Sequence, residues 1–176
     1  MAEKPNQNKI SPALLIIDVQ NKFLATIPPR DKELGILFIN MLIELFRKAN
    51  LPLLRIYHQN SENGPFPGSA EFEYPDAIHI IPEDIQIVKS YSDSFNKTSL
   101  NQILADKGVN TLFLCGLSAV GCVLATKIGA LNNDFEAFMV KDAIMSHNSE
   151  YTRNMETMFN AVSYDVVKLI VDSSAK

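Results

Sequence analysis

The chain has 176 residues, 47% of them hydrophobic and 20% charged, which suits a globular protein with one sizeable core. A net charge of −4 with no basic run gives no reason to expect nucleic acid or an anionic membrane as partner. Two cysteines, Cys115 and Cys122, are too few for a disulfide framework and lack the CxxC spacing of redox or zinc motifs.

The opening MAEKPNQNKISP is polar and lacks the apolar core of a signal peptide, so it reads as a short flexible arm over about residues 1–11. No apolar run approaches the ~20 residues that a membrane span needs, and the expected compartment is the cytoplasm, with both thiols reduced. Ala13 to Val19 (ALLIIDV) is an apolar run without alternation, as expected of a strand covered on both faces. Asp18 interrupts it near the carboxyl end. A carboxylate there is costly if buried and needs a partner or a task; its plainer role is to cap the following turn.

Asp31 to Ala49 carries Leu34, Leu37, Phe38, Met41, Leu42, Leu45 and Phe46 at helical spacing, with Pro28-Pro29 just before it. A second strand is expected over Leu51 to Tyr57. The stretch from His58 to Pro82 has no clear period and is long for a connection, which suggests a loop that shapes a pocket. Ile85 to Val88 then leads into Lys89-Ser90-Tyr91-Ser92, and Asn96 or Thr98 could cap a helix running through Lys107 to Gly108.

Thr111 to Leu117 reads as another buried strand, followed by a turn through Gly116 to Gly121 and a helix ending near Asn132-Asn133. Cys122 sits at the start of that helix, where free N–H groups and the positive end of the helix dipole favour a thiolate. A strand that turns sharply to present a nucleophile follows the logic of the hydrolase nucleophile elbow, with sulfur replacing oxygen. The plainer reading makes Cys122 a small apolar residue packing helix on sheet, and Cys115, inside the strand, a core residue. Phe135 to Val140 forms a further strand ending in Lys141-Asp142, a segment that turns the chain. A helix over Ser149 to Val162 and a strand over Val166 to Ile170 complete the pattern.

Strands alternating with helices imply a three-layer α/β domain over residues 1–176, with a mostly parallel sheet flanked by helices and no linker or repeat. Such sheets bind ligands beyond the carboxyl ends of their strands. Asp18, Lys89 and Cys122 each lie at or just after such an end, so an acid, an amine and a thiol share one edge of the sheet.

Four stretches together resemble the isochorismatase-like cysteine hydrolases: LLIIDVQNKF (Leu14 to Phe23), Lys89 to Phe95, GLSAVGCVLAT (Gly116 to Thr126) and VKDA (Val140 to Ala143). The resemblance implies a Rossmann-like sheet of six parallel strands and a triad of Asp18, Lys89 and Cys122. It also implies a non-proline cis peptide between Leu117 and Ser118, an oxyanion hole from the backbone N–H groups of Ser118 and Cys122, and a homodimer or homotetramer. Asp18 would then act as general base for Cys122, which attacks a carbonyl carbon, while Lys89 adds positive charge beside thiolate and oxyanion.

Nicotinamidases of that superfamily hold a metal through an Asp-x-His pair after the second strand. The corresponding place here reads Ile56-Tyr57-His58-Gln59-Asn60, and His79 and His147 do not restore the pair. No metal and no cofactor are therefore expected. Phe23, Tyr91 and His58 are candidate walls of a pocket for a small molecule; ordinary packing accounts for Phe23 and Tyr91 equally well, and a lone histidine is more often a structural or surface residue. The leading expectation is hydrolysis of a C–N bond in a small amide or carbamoyl compound. Three readings compete with it: an isochorismatase-type ether hydrolase that does not need Cys122, a non-catalytic small-molecule-binding protein of the same fold, and a thiol-redox protein using Cys115 and Cys122.

Overall fold

The computed structural model describes residues 9–174, so residues 1–8 of the expected flexible arm lie outside the described part. Residues 9–11 are tied down: Ser11 N–H donates to Asn110 Oδ1 at 2.9 Å, and Asn110 Nδ2 donates to the Lys9 carbonyl at 2.9 Å. The chain then enters β1 (Pro12–Ile17), whose six residues are all buried, as an unalternating apolar run requires. A short helix α1 (Asn21–Leu24) and the long helix α2 (Pro29–Lys48) follow, the latter opening on a proline whose missing N–H costs nothing in a first helical turn. Next come β2 (Leu53–His58), β3 (Ile85–Lys89), α3 (Leu100–Asp106) and β4 (Thr111–Leu117). A wide helical turn, Ala119–Val123, runs into α4 (Leu124–Asn132), and β5 (Glu136–Met145), α5 (Ser149–Met158) and α6 (Tyr164–Ser174) complete the chain.

The strands lie in the order β3-β2-β1-β4-β5, and all four pairings are parallel. Successive β1 side chains point to opposite faces. Leu14 and Ile16 join Ile39, Leu42, Phe46, Val167 and Val171 beneath α2 and α6. Leu15 and Ile17 join Leu100, Leu104, Val123, Ala130 and Met155 beneath α3, α4 and α5. A sheet sandwiched between helices is the three-layer α/β arrangement expected from the sequence.

The sheet has five strands rather than six. Val166 to Ile170, expected as the last strand, lies within α6: Val167 and Val171 are buried one helical turn apart, while Leu169 between them is 71% exposed. A short run of valine, leucine and isoleucine satisfies either period, and the exposure of Leu169 shows which one governs.

Two other elements differ in extent. β5 does not close at Lys141-Asp142. Its register with β4 jumps from Leu114↔Met139 to Gly116↔Ile144, so residues 140–143 bulge and the strand then resumes. Asp142 takes φ +63° in this bulge, and the Lys141 N–H donates to the Val162 carbonyl. Helix α5 ends at Met158, earlier than expected, and Val162 instead makes a parallel bridge to Val140. Among the described residues, no helix is long and apolar enough to cross a membrane.

Candidate active site

The order β3-β2-β1-β4-β5 reverses between β1 and β4, the place where an open α/β sheet leaves a crevice beyond its strand ends. Asp18 follows β1 with φ +53°, and its N–H donates to the Ile56 carbonyl of β2. His58 and Lys89 are the last residues of β2 and β3. Across the crevice, Gly116 takes φ +106°. A Cβ there would lie 2.1 Å from the Ile17 carbonyl oxygen, so only glycine lets β4 run this close to β1. The Leu117–Ser118 peptide bond that follows is cis. The Ser118 carbonyl then accepts from the Gly121 and Val123 N–H groups, which folds the turn carrying Cys122. Parallel pairing thus brings together three side chains separated by up to 104 positions, from Asp18 to Cys122.

Lys89 is 1% exposed, and its Nζ donates to Asp18 Oδ2 at 2.7 Å. The same ammonium lies 3.4 Å from His58 Nδ1. Asp18 is 2% exposed and its other oxygen, Oδ1, is buried without a hydrogen-bond partner. The Cys122 Sγ lies within 4.8 Å of the Asp18 carboxylate and of the His58 ring, so the thiol is a proton donor available to that carboxylate. Burial raises the Asp18 pKa above its usual range, partly offset by Lys89 and by the Cys122 thiol.

Cys122 departs from the sequence expectation of an easily formed thiolate. Its pKa is pushed up to about 12, chiefly by burial and then by the negative charge of Asp18, against the opposing pull of Lys89. A helix N-terminus is worth only about 0.3–1 kcal/mol, or less than one pKa unit, so burial and the neighbouring carboxylate prevail. The resting site therefore pairs a thiol with a carboxylate. The two groups lie close enough to titrate as a unit, and a proton leaving the sulfur has the Asp18 carboxylate as its nearest acceptor.

A cavity of about 270 Å³ opens over this pair. Phe23, Ile27 and Leu117 supply apolar wall, and Ser118 and Cys122 lie at its base. Of the residues expected to line it, Phe23 and His58 do, their rings meeting edge to face at 6.0 Å. Tyr91 does not: its side chain is exposed, and its hydroxyl accepts from Lys97 Nζ at 2.9 Å. Ser92, the next residue, takes the place in the lining. The chain bends directly after β3 ends at Lys89, and in that bend Ser92 rather than Tyr91 faces the cavity.

Thr26, Ile27 and His147 also line the cavity, and no local pattern in the sequence marked them. Gln20 is a further omission. Fully buried, it accepts from the His58 N–H at 2.8 Å and donates to the His58 carbonyl at 3.0 Å, clamping the end of β2 to the turn after β1. A buried amide two residues after an acid at a strand end was the signal available. The segment from His58 to Pro82 contributes no side chain beyond His58 itself to the cavity. It braces the wall instead, with the Asn21 and Lys22 N–H groups donating to the Glu73 and Glu71 carbonyls and so fixing the helix that carries Phe23.

The model of the Isochorismatase domain matches residues 12–166 of this chain. The protein belongs to the isochorismatase family. The uncharacterized isochorismatase family protein YddQ of Bacillus subtilis is 27% identical over 136 residues, covering 74% of this chain and 76% of that protein. A maleamate amidohydrolase of Pseudomonas putida is 28% identical over 89 residues, 51% of this chain and 39% of that protein. The crystal structure of a putative isochorismatase from Burkholderia xenovorans superimposes with a TM-score of 0.85 at 20% identity, over 95% of this chain and 90% of that one.

Within this isochorismatase-family fold, the place after β2 does not suit the metal site of nicotinamidases. Gln59 and Asn60 stand there, and Gln59 Nε2 donates to Ser90 Oγ. Asp18, His58 and Cys122 do lie close enough together to hold a cation. The Lys89 ammonium already contacts Asp18 and His58, however, and supplies the positive charge that this donor set would otherwise call for.

Proposed function

We propose that the protein is a cysteine-dependent hydrolase, acting as a single domain, that cleaves the C–N bond of a small amide or carbamoyl compound through a thioester on Cys122. The observation that carries this reading is the Cys122 thiol beside the buried Asp18 carboxylate, to which Lys89 donates at 2.7 Å. An inert core cysteine has no need of a buried ion pair next to it, whereas a nucleophile needs a base that is held in place. The similarity to an amidohydrolase supports the choice of a C–N bond.

Asp18 takes the Cys122 proton as sulfur attacks the carbonyl carbon, and the oxyanion forms against the N–H groups of Ser118 and Cys122. Collapse of the tetrahedral intermediate breaks the C–N bond. Asp18 returns its proton to the departing nitrogen, releasing ammonia or an amine. A water then gives a proton to Asp18 and its oxygen attacks the thioester; sulfur leaves and recovers the proton, and the acid is released. Lys89 keeps the site near neutrality while the proton moves.

The reading extends to a reducing, cytoplasmic setting, supported by two unpaired thiols, and to assembly as a homodimer or homotetramer, supported by exposed apolar side chains such as Met158 and Leu169. The deciding experiment is ammonia release from a panel of carboxamides and carbamoyl compounds, with mass spectrometry of the quenched enzyme. A substrate-derived acyl mass on Cys122 is expected, with a loss of about 10³-fold or more in kcat for Cys122→Ala. Pyruvate release from isochorismate that survives Cys122→Ala would overturn the reading in favour of ether cleavage.

A further inference from the structure

The charge inventory of the cavity limits what it can hold. Among the described residues that line it, Asp18 is the only carboxylate and there is no lysine or arginine. Lys89, just beneath, is committed to Asp18 at 2.7 Å, so the pair presents no net charge to a ligand. Lys22, on the helix that carries Phe23, points elsewhere and is bound by the Asn63 carbonyl and by Glu71 at 3.5 Å. His58 is held towards its neutral form by burial and by the Lys89 charge, so it does not substitute for a fixed cation. His147 is exposed and packs its ring edge to face against Tyr151 at 5.4 Å. Among the described residues, the polar side chains left for a ligand are the His58 and His147 rings and the hydroxyls of Thr26, Ser92 and Ser118. A carboxylate on the substrate would enter this space without a counter-charge, a heavy cost away from bulk water.

We propose that the cavity selects uncharged small amides or carbamoyl compounds and rejects those that carry a free carboxylate. This rests on the hydrolase reading above and narrows its substrate class. The compounds admitted are neutral at both ends, with the reacting carbonyl over Cys122, hydroxyls available to a second amide, and Phe23, Ile27 and Leu117 against the carbon skeleton.

Succinamide and succinamate share one skeleton and differ only in whether the far end is a neutral amide or a carboxylate. Two readouts on the wild-type protein separate selectivity from chemistry: ammonia release, and protection of Cys122 from iodoacetamide at alkaline pH. Succinamide is expected to exceed succinamate by about a hundredfold in kcat/KM and in protection, the order set by a buried charge without a partner. Thr26→Arg, at an exposed position on the cavity rim, is expected to narrow that ratio at least about tenfold by supplying the missing cation. Equal or better use of succinamate by the wild type would overturn the proposal, since a cation from outside the described lining would then have to reach the cavity. Failure of both compounds to protect Cys122 up to their solubility limits would overturn it as well. Selective protection by succinamide without ammonia release would leave charge selection standing and remove the hydrolysis reading instead.

Discussion

A thiol with its pKa pushed up to about 12 is a poor nucleophile by itself, and the proposed mechanism depends on Asp18 taking its proton. In that mechanism Asp18 has two opposed effects on Cys122: its charge suppresses the thiolate at rest, and its unpartnered oxygen would accept the proton during attack. Asp18→Asn separates these effects. Hydrolysis is expected to fall by about 10²–10⁴-fold with the loss of the base. Iodoacetamide labelling of Cys122 near neutral pH is expected to quicken by about tenfold or more, because removing the negative charge and freeing Lys89 both favour the thiolate. Slower labelling in this variant would show that proton transfer to Asp18, and not the thiolate population, limits the reaction. Lys89 answers to the same logic through stability. Lys89→Met strands a buried carboxylate, and a loss of about 3–5 kcal/mol is expected by urea denaturation at neutral pH. Asp18 already has a raised pKa, so its stabilising contribution is present in acid and lost as pH rises through the folded value. The deficit of the lysine variant should therefore shrink towards pH 4; a deficit independent of pH would count against an ionised Asp18.

The loop between β2 and β3 shows how an element without sequence periodicity is fixed. Tyr74 reaches in from this loop, and its hydroxyl lies 2.9 Å from the Ile16 carbonyl and 2.7 Å from that of Ile56, at the ends of the two strands that position Asp18 and His58. Its ring packs tilted against Tyr57, on which Phe72 also stacks. Tyr74→Phe keeps the stacking and removes only the hydroxyl, so a loss of about 1–1.5 kcal/mol in urea denaturation is expected, with a lower kcat as the Asp18 turn loosens. Unchanged stability and turnover would show that the hydroxyl contributes nothing to the strand ends. Nothing in the sequence around Tyr74 pointed to this contact, because it joins residues 58 positions apart. The same holds for His147, whose role depends on which strand lies beside which. β1 and β4, by contrast, were legible: a strand buried on both faces must be apolar throughout, so Asp18 stood out as an interruption. α6 was misread because its buried positions, Val167 and Val171, lie in a run short enough to fit either period. The ionisation of Cys122 was misread for another reason: its neighbour in space, Asp18, is 104 positions away, and local context offered only the helix start.

At the scale of the molecule, five parallel strands deliver their carboxyl ends to one edge, and Asp18, His58, Lys89, Leu117 and Ser146 mark those ends. Ionisable groups gathered there are buried by the fold, so the stability of the whole chain is linked to their protonation. His58 has its pKa lowered from 6.5, first by burial and then by the Lys89 charge. A lowered histidine binds protons less readily when folded than when unfolded. Its stabilising contribution is thus present above 6.5 and lost as pH falls through the folded value. Asp18 and Glu156, both raised by burial, act in the opposite sense, stabilising in acid and losing that contribution as pH rises. The histidine effect can be isolated by comparison with His58→Gln, which keeps a polar side chain and removes the titration. The urea midpoint of the wild type, taken relative to the variant, is expected to decline between about pH 7 and pH 5. Parallel curves for the two proteins across that range would mean that His58 takes up its proton equally well in the folded state. The cavity would then hold a cation on lowering the pH, and succinamate should begin to compete with succinamide in the same interval.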